Sequence, residues 1–518
     1  MKLERSKNTI RNIYYGLFEK LVLVLGPFIV RTVFIYTIGS EYLGLNSLFS
    51  SILTILNVSE LGIGTALVYS MYQAIAKDDF QALDALLLYY RRVYRIIGTV
   101  ILVAGLCLIP ILPHTISGEI PPDINLTALY LIFLSDTVIS YFLFSHYGSL
   151  FAAFQRNDIP NRVNIVVSIV KYAAQATALA LARNYYYFVI TLPIFTIIGN
   201  LVVGLFARKL YPNLRPSGYI TEQQRKEVKS KLSGIVIDKI TGTLRNTLDS
   251  VFISFFLGLT FVAIYNNHLF IMSAVTEVLL VLIRSSLAGV GNSVATETIE
   301  KNYSDLRNIN FIYMYLSGLC TVCLFCLYTP FMFLWAGKDM TLPLSSITLF
   351  CIYFYILKMG DVRYTYVQAA GLWREIRVYA ILEALVNLSL NYFLGKKYGL
   401  NGVLAATIIS LFTINFCLRS RVLFGCYFPS RRLYKFYSSH FYYALITGFA
   451  CFITFEICNF LPITWPAFIL RLFICATIPN ILFFVIYRKR RIYRDSMAFF
   501  LSCANIKKSS IVYKVLLS

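Results

Sequence analysis

The stretch LVLVLGPFIVRTVFIYTIG, residues 21–39, is long and apolar enough to cross a lipid bilayer, yet it carries Arg31 near its middle. The pattern recurs in VNIVVSIVKYAAQATALALA (163–182), interrupted by Lys171, and in VTEVLLVLIRSSLAGV (275–290), interrupted by Arg284. An ionised side chain near the bilayer centre costs at least about 2.5–3.5 kcal/mol on insertion scales. A helix surrounded by lipid does not keep such a residue. The cations therefore predict a polar interior, and their surplus of positive charge points to an anionic passenger.

Composition agrees with a membrane protein. The chain has 518 residues, 58% hydrophobic, 16% aromatic and 14% charged, with a mean hydropathy of +0.68. That is too apolar for a soluble fold. The net charge of +22 is spread singly between apolar segments, with no soluble block to form a nucleic-acid module. The eleven cysteines fall mostly inside apolar runs such as CTVCLFCLY (320–328), as packing thiols do. The basic N-terminus runs into a full-length span without a small-residue cleavage site, so no cleavable signal peptide is expected.

At about twenty residues per crossing, the sequence predicts an all-α polytopic membrane protein with about fourteen transmembrane helices. The connecting segments alternate in Lys and Arg content. One side holds the N-terminus, Arg91, Arg92 and Arg95, QRNDIPNR (155–162), the basic stretch 207–231 and the tail YRKRRIYR (487–494). The other side carries only Arg183, Lys338, Lys396 and Lys397. This bias predicts cytoplasmic N- and C-termini, as does an even number of spans. The short segments on the sparse side leave no room for the large external loop expected of a membrane glycosyltransferase or polymerase. No Walker A, HExxH or nucleophile-elbow motif is present, so no enzymatic activity is predicted.

The chain also contains an internal match at an offset of 219 residues. Glu19-Lys20 aligns with Asp238-Lys239, Gly39 with Gly258, and Tyr42–Asn46 with Phe261–Tyr265. The match predicts an N-terminal six-helix lobe (1–210), a cytoplasmic linker (211–231), a C-terminal six-helix lobe (232–427) and a segment (428–518) of two additional helices with a basic tail. Duplicated lobes around a central site are a common plan of secondary transporters.

IGSEYLGLNSLFSSILTILNVSELGIGTALVY (38–69), with its Gly-x-x-Tyr-x-Gly-Leu start and later Glu-Leu-Gly-x-x-x-Ala, resembles the early segment of bacterial polysaccharide flippases. These belong to the multidrug/oligosaccharidyl-lipid/polysaccharide exporter superfamily. The resemblance implies two lobes around a central cavity that opens alternately to each side. It also implies a bacterial inner-membrane location and an undecaprenyl-diphosphate-linked oligosaccharide as passenger. A polysaccharide polymerase and glycosyltransferases would be partners beside the membrane lipids, and the carrier would act as a monomer.

The polar residues suit a pyrophosphate headgroup, for which Lys and Arg supply charge and forked hydrogen bonds. Arg31, Lys171, Arg245, Arg284 and Lys358 are the candidate substrate-binding cations. Each also has a purely structural reading as half of an interhelical ion pair. Asp238, Arg245 and Asp249 share one helix face, as do Glu277 and Arg284. Lys20 and Arg363 lie nearer the basic side, where snorkelling accounts for them. His146 and His268 read as packed or hydrogen-bonded histidines rather than metal ligands. No cofactor is expected.

A coupling-ion site is the sharper expectation. Glu383, Asn387 and Asn391 form a polar stripe at i, i+4 and i+8, and Val403 and Thr407 follow on the next span. With Asp238, the set Asn387, Asn391, Val403 and Thr407 resembles the sodium site of lipid II flippases. It departs in having Asn391 where an acid is expected. A hydrogen-bonded helix contact is the structural reading of the same residues. Proton coupling through Asp238 or Glu383 is the other functional one. At the level of function, an ion-coupled multidrug or small-molecule antiporter is the alternative to a flippase. Such a carrier would favour an acidic, aromatic cavity, which the basic interior here opposes.

Overall fold

The computed structural model describes residues 5–57, 68, 71–72, 74–75, 77–118, 120–143, 146–428 and 432–503; within these, the side chains of 5–10, 13, 223–239, 246 and 503 lie outside the description. The Glu60-Leu61-Gly62 part of the flippase-like segment and the end of the basic tail fall outside it too. Every regular element among the described residues is helical. Among the described residues, nine helices are long and apolar enough to cross a membrane, or ten if the bent pair Leu126–Phe142 and His146–Ala153 forms one span.

The chain divides into two compact units, Met1–Ala263 and Ile264–Ser518. The first holds α1 (Arg5–Thr37), α2 (Ser40–Leu56), α3 (Phe80–Leu108), α4 (Leu126–Phe142), α5 (His146–Ala153), α6 (Asp158–Thr177), α7 (Tyr185–Leu210) and α8 (Glu222–Leu257). Polar residues start several of these helices. Asp79, Asn125 and Asn184 each accept a backbone N–H of the first turn of α3, α4 and α7. α1 runs through Gly26-Pro27 and packs along α6, where a Cβ at position 26 would overlap the Tyr172 ring. α2 packs on α8, and Gly44 lies so close to the Leu259 carbonyl that no side chain fits. α8 thus packs within the first unit, although the repeat register counts it as the opening helix of the second lobe.

An ionic hub ties the Lys- and Arg-rich end of this unit. Asp158 is fully buried and receives Arg11 at 3.0 Å, Arg156 at 2.9 Å and Arg162 at 3.4 Å. Its backbone N–H donates to Asn12 Oδ1 at 2.7 Å, joining α1 to the start of α6. Three guanidinium groups around one carboxylate meet the condition under which burying a charge is tolerable.

The second unit contains most of α9 (Leu259–Thr296), then α10 (Ile299–Ala336), α11 (Leu344–Met359), α12 (Asp361–Ala369), α13 (Trp373–Ser410), α14 (Arg419–Cys426), α15 (Leu433–Asn459), α16 (Trp465–Tyr487) and α17 (Arg491–Cys503). α10 is its central post, packed against α11, α15, α16 and α17. The helical run Trp373–Cys426 has 54 residues. At about 1.5 Å per residue it exceeds twice the roughly 30 Å hydrocarbon thickness. It turns at Gly399, whose φ of 57° and ψ of −135° leave the helical region, so one continuous assignment accommodates both spans expected there.

The backbone repeats the 219-residue match. Gly39 and Gly258, 219 positions apart, have φ of 102° and 83° between consecutive helices. Gly118 and Gly337, with φ of 90° and 89°, are also 219 apart. Gln155 and Gly371, and again Arg183 and Gly399, have positive φ at a spacing of 216. Residues rarely adopt this region without a turn that demands it. Among the described residues, eight of the ten with positive φ therefore fall into pairs at one of these two spacings. The first pair falls where the sequence match places it, the second keeps the same spacing, and three residues are lost between the second and third.

Candidate functional site: cations and polar clusters inside the apolar helices

In the first unit, Arg31 on α1, Lys171 on α6 and Arg245 on α8 are each half-buried. Lys171 lies within electrostatic reach of Asp136 on α4. The Asp136 carboxylate accepts a hydrogen bond from Thr196 Oγ1 at 2.5 Å. Asp136 is a membrane-embedded acid that sequence reading missed, because its partner sits on another helix. Asp249, one turn beyond Arg245, is fully buried. The side chain of Asp238 lies outside the described residues.

In the second unit, Arg284 is well exposed and reaches Glu277 at 3.5 Å, the same-face pairing expected from their spacing. Lys358 is 1% exposed, and its Nζ lies 2.8 Å from Asp361 Oδ2. Tyr313 donates to the same carboxylate oxygen at 2.5 Å. This geometry gives Lys358 an ion-pair role inside the bundle. Arg363 corrects another expectation. It does not snorkel but is 1% exposed. Its guanidinium donates to the Asn415 carbonyl at 2.5 Å and to Asn415 Oδ1 at 2.9 Å. Asn415 in turn donates to Glu383 Oε2 at 3.0 Å, and Glu383 pairs with Arg419 at 2.9 Å. A guanidinium that finds acceptors inside the protein has no need to reach the headgroups.

One turn along α13, Asn387 donates to Thr407 Oγ1 at 3.1 Å and to Ser410 Oγ at 3.3 Å. Asn391 donates to Asn387 Oδ1 at 3.3 Å. Asn387, Asn391, Val403, Thr407 and Ser410 are all buried, with none above 1% exposure. The structure thus joins Asn387, Asn391 and Thr407 of the coupling-ion candidates by hydrogen bonds and adds Ser410, while Val403 is buried on the same helix. Amide and hydroxyl oxygens are the ligand type that a hard alkali cation takes. The described cluster is neutral, and Glu383 already serves Arg419 and Asn415.

His268 is fully buried with Nδ1 2.8 Å from the Ile264 carbonyl, a hydrogen-bonded core histidine. Arg471, overlooked in the last apolar span, is 7% exposed and donates to the Leu461 carbonyl at 2.5 Å. The Sγ atoms of Cys326, Cys458 and Cys475 lie within 4.8 Å of one another.

No family model matches the chain, and no curated protein matches it. Solved structures do. The chain is similar to the lipid II flippase MurJ in an inward closed conformation, with a TM-score of 0.66 at 14% identity over 92% of this chain and 99% of that one. It is similar to an inward-facing MATE family multidrug resistance transporter of the MOP superfamily, with a TM-score of 0.61 at 12% identity over 79% and 94%. A MOP superfamily transporter from Pyrococcus furiosus gives a TM-score of 0.56 at 15% identity over 80% and 95%. The chain therefore has the fold of MOP superfamily transporters, and its apolar helices make it a multi-pass membrane protein. The three similar structures are transporters or flippases rather than enzymes.

Proposed function

We propose that the chain is a flippase that moves an undecaprenyl-diphosphate-linked oligosaccharide from the cytoplasmic to the outer leaflet of a bacterial inner membrane. It does so by alternating access, for surface polysaccharide biosynthesis, as a monomer with both termini cytoplasmic. The observation that carries this reading is the set of half-buried cations, Arg31, Lys171 and Arg245, within apolar helices of a chain spanning 99% of a lipid II flippase's length. Cations kept in such helices at a cost of several kcal/mol suit a passenger whose headgroup is a diphosphate. Arg284 extends the basic set in the second unit. Lys358 is assigned instead to the bundle's own ion pair.

Glycosyltransferases would supply the lipid-linked unit and a polymerase would consume it. The buried oxygens of Asn387, Asn391, Thr407 and Ser410 are the proposed place for a coupling Na⁺. Val403 is buried on the same helix, and Asp238 is the acid that the resemblance to the sodium site adds. Coupling through a proton would place the titrating group at Asp238, because Glu383 is engaged by Arg419. The likeness to MATE transporters supports the second reading, an ion-coupled small-molecule antiporter.

In cells that depend on this protein, Arg31→Ala and Arg245→Ala should each abolish surface glycan and accumulate lipid-linked units facing the cytoplasm. Normal surface polymer in both variants would remove the reading. Drug sensitivity that changes while surface polymer stays normal would favour the antiporter.

A further inference from the structure

Four arginines converge on one cavity of about 620 Å³ at the Lys- and Arg-rich end of the first unit. Arg91 and Arg95 lie one turn apart on α3, Arg208 sits in the last turn of α7, and Arg215 follows in the loop before α8. Tyr211 and His146 complete its polar lining, and none of the described lining residues is acidic. The volume lies within the roughly 300–1,000 Å³ typical of small-molecule sites.

The arrangement is built rather than incidental. The Arg215 loop is pinned to α3, because the Asp84 carboxylate accepts the Arg215 backbone N–H and the Asp84 carbonyl accepts the Ser217 N–H at 3.3 Å. Tyr211 stacks on Phe154 at 4.5 Å, which fixes the start of the loop. Burial pushes the Tyr211 phenol up to about 12, so it enters the cavity as a neutral hydrogen-bond donor. Arg92, beside Arg91 in sequence, instead lies over the Tyr219 ring at 5.6 Å and is not part of the lining. Like charges one helical turn apart repel, so Arg91 and Arg95 oppose each other unless an anion joins them.

The repeat supplies a contrast. Position 91 lies between the two corners spaced at 219, so Arg91 corresponds to Asn310, which lines a cavity of about 760 Å³ in the second unit with Arg307, Arg432, Lys435 and Arg490. There a carboxylate is provided by the chain itself, since Glu300 reaches Arg432 at 3.5 Å. Among the described residues, no carboxylate plays that part for the side chains of Arg91, Arg95 and Arg215.

We propose that the cavity of Arg91, Arg95, Arg208 and Arg215 is a binding site for a phosphate group at the membrane boundary. Forked guanidinium donors, such as those of Arg91 and Arg95 on α3 and Arg215 on the loop, match the oxygens of a phosphate mono- or diester. A phospholipid headgroup and a soluble phosphate share that chemistry. The site is distinct from the cations buried in the apolar helices, and its occupancy does not depend on what is transported.

The test uses the full chain in detergent with two probes, phosphatidylglycerol retention by native mass spectrometry and inorganic pyrophosphate titration by thermal shift. The doubly substituted Arg91→Gln/Arg95→Gln protein should lose about tenfold or more in binding, and Arg215→Gln about threefold. Arg215 lies on an exposed loop, so its variant decides the matter should the double variant fail to fold. Arg307→Gln, the same charge change in the other cavity, should leave binding within about twofold. Retention of phosphatidylglycerol alone assigns a lipid headgroup, and a response to pyrophosphate alone assigns a soluble anion. Binding of neither probe by the unaltered protein overturns the site. So does unchanged binding in the folded Arg91, Arg95 and Arg215 variants, or an equal loss in Arg307→Gln.

Discussion

Glu383 and Arg419 meet at 2.9 Å with side chains only 3% and 5% exposed, forming an ion pair inside the second unit. Removing one partner strands the other charge, so Glu383→Ala should destabilise the protein by about 3–5 kcal/mol. The paired replacement Glu383→Leu/Arg419→Met should recover more than half of that loss, since apolar side chains of similar volume often substitute for a buried pair. Thermal unfolding of single and double variants in detergent measures both. Full additivity of the two single losses would show that the residues do not act as a pair.

Asp158 gives the corresponding contrast in the first unit, because one buried carboxylate serves three arginines of differing exposure. Asp158→Ala should cost about 3–5 kcal/mol, as three cations lose their shared partner. Arg162→Ala, at a side chain 43% exposed, should cost less than about 1 kcal/mol. Comparable melting temperatures for the two variants would contradict a hub centred on the aspartate.

Gly26 lets α1 approach α6 within a turn and a half of Arg31. Because a Cβ there would overlap the Tyr172 ring, Gly26→Ala should cost about 1–3 kcal/mol through overpacking. Tyr172→Ala in the same chain should relieve most of the added strain. The readout is thermal stability, and a Gly26→Ala loss that Tyr172→Ala leaves untouched would place the strain elsewhere.

Residues 387, 391, 407 and 410 predict how an ion dependence would fail. Asn387→Ala removes the amide that links Thr407 and Ser410, so the Na⁺ concentration for half-maximal transport should rise about tenfold or more. Ser389→Ala, at an exposed position on the same helix, should leave it unchanged. Transport in proteoliposomes at varied Na⁺ and pH separates the cases. Indifference of the unaltered protein to both gradients would remove the coupling role.

The fold could be read from the sequence because its rules are local. Twenty-residue apolar periods predict the helices, and the aligned Gly39 and Gly258 prove to be corners between helices. The partners of buried charges could not be read in this way. The seven-residue spacing of Glu277 and Arg284 gave their contact away, since it lies along one helix face. Lys358 and Asp361, three positions apart, were legible as neighbours in the same way; the part that was not is Tyr313, 48 positions from Asp361, which donates to the same carboxylate. Arg363 resembled a snorkelling cation because nothing in its neighbourhood announces Asn415, 52 positions away. Asp136 and Arg471 were passed over as single charges in apolar runs, since the groups that make them tolerable arrive from other segments. The stripe of Glu383, Asn387 and Asn391 was visible, but its division was not: Glu383 serves an ion pair and the two asparagines join Thr407 and Ser410.

The central claim is that the cations within the apolar helices carry a diphosphate-linked glycan across the membrane. The most direct measurement is leaflet exchange of an undecaprenyl-diphosphate-linked oligosaccharide in proteoliposomes, read with a probe confined to one side. The unaltered chain should move the lipid well above protein-free vesicles, and Arg31→Gln/Arg245→Gln should slow it by about tenfold or more while melting normally. Equal exchange by the unaltered and the substituted protein would contradict the account.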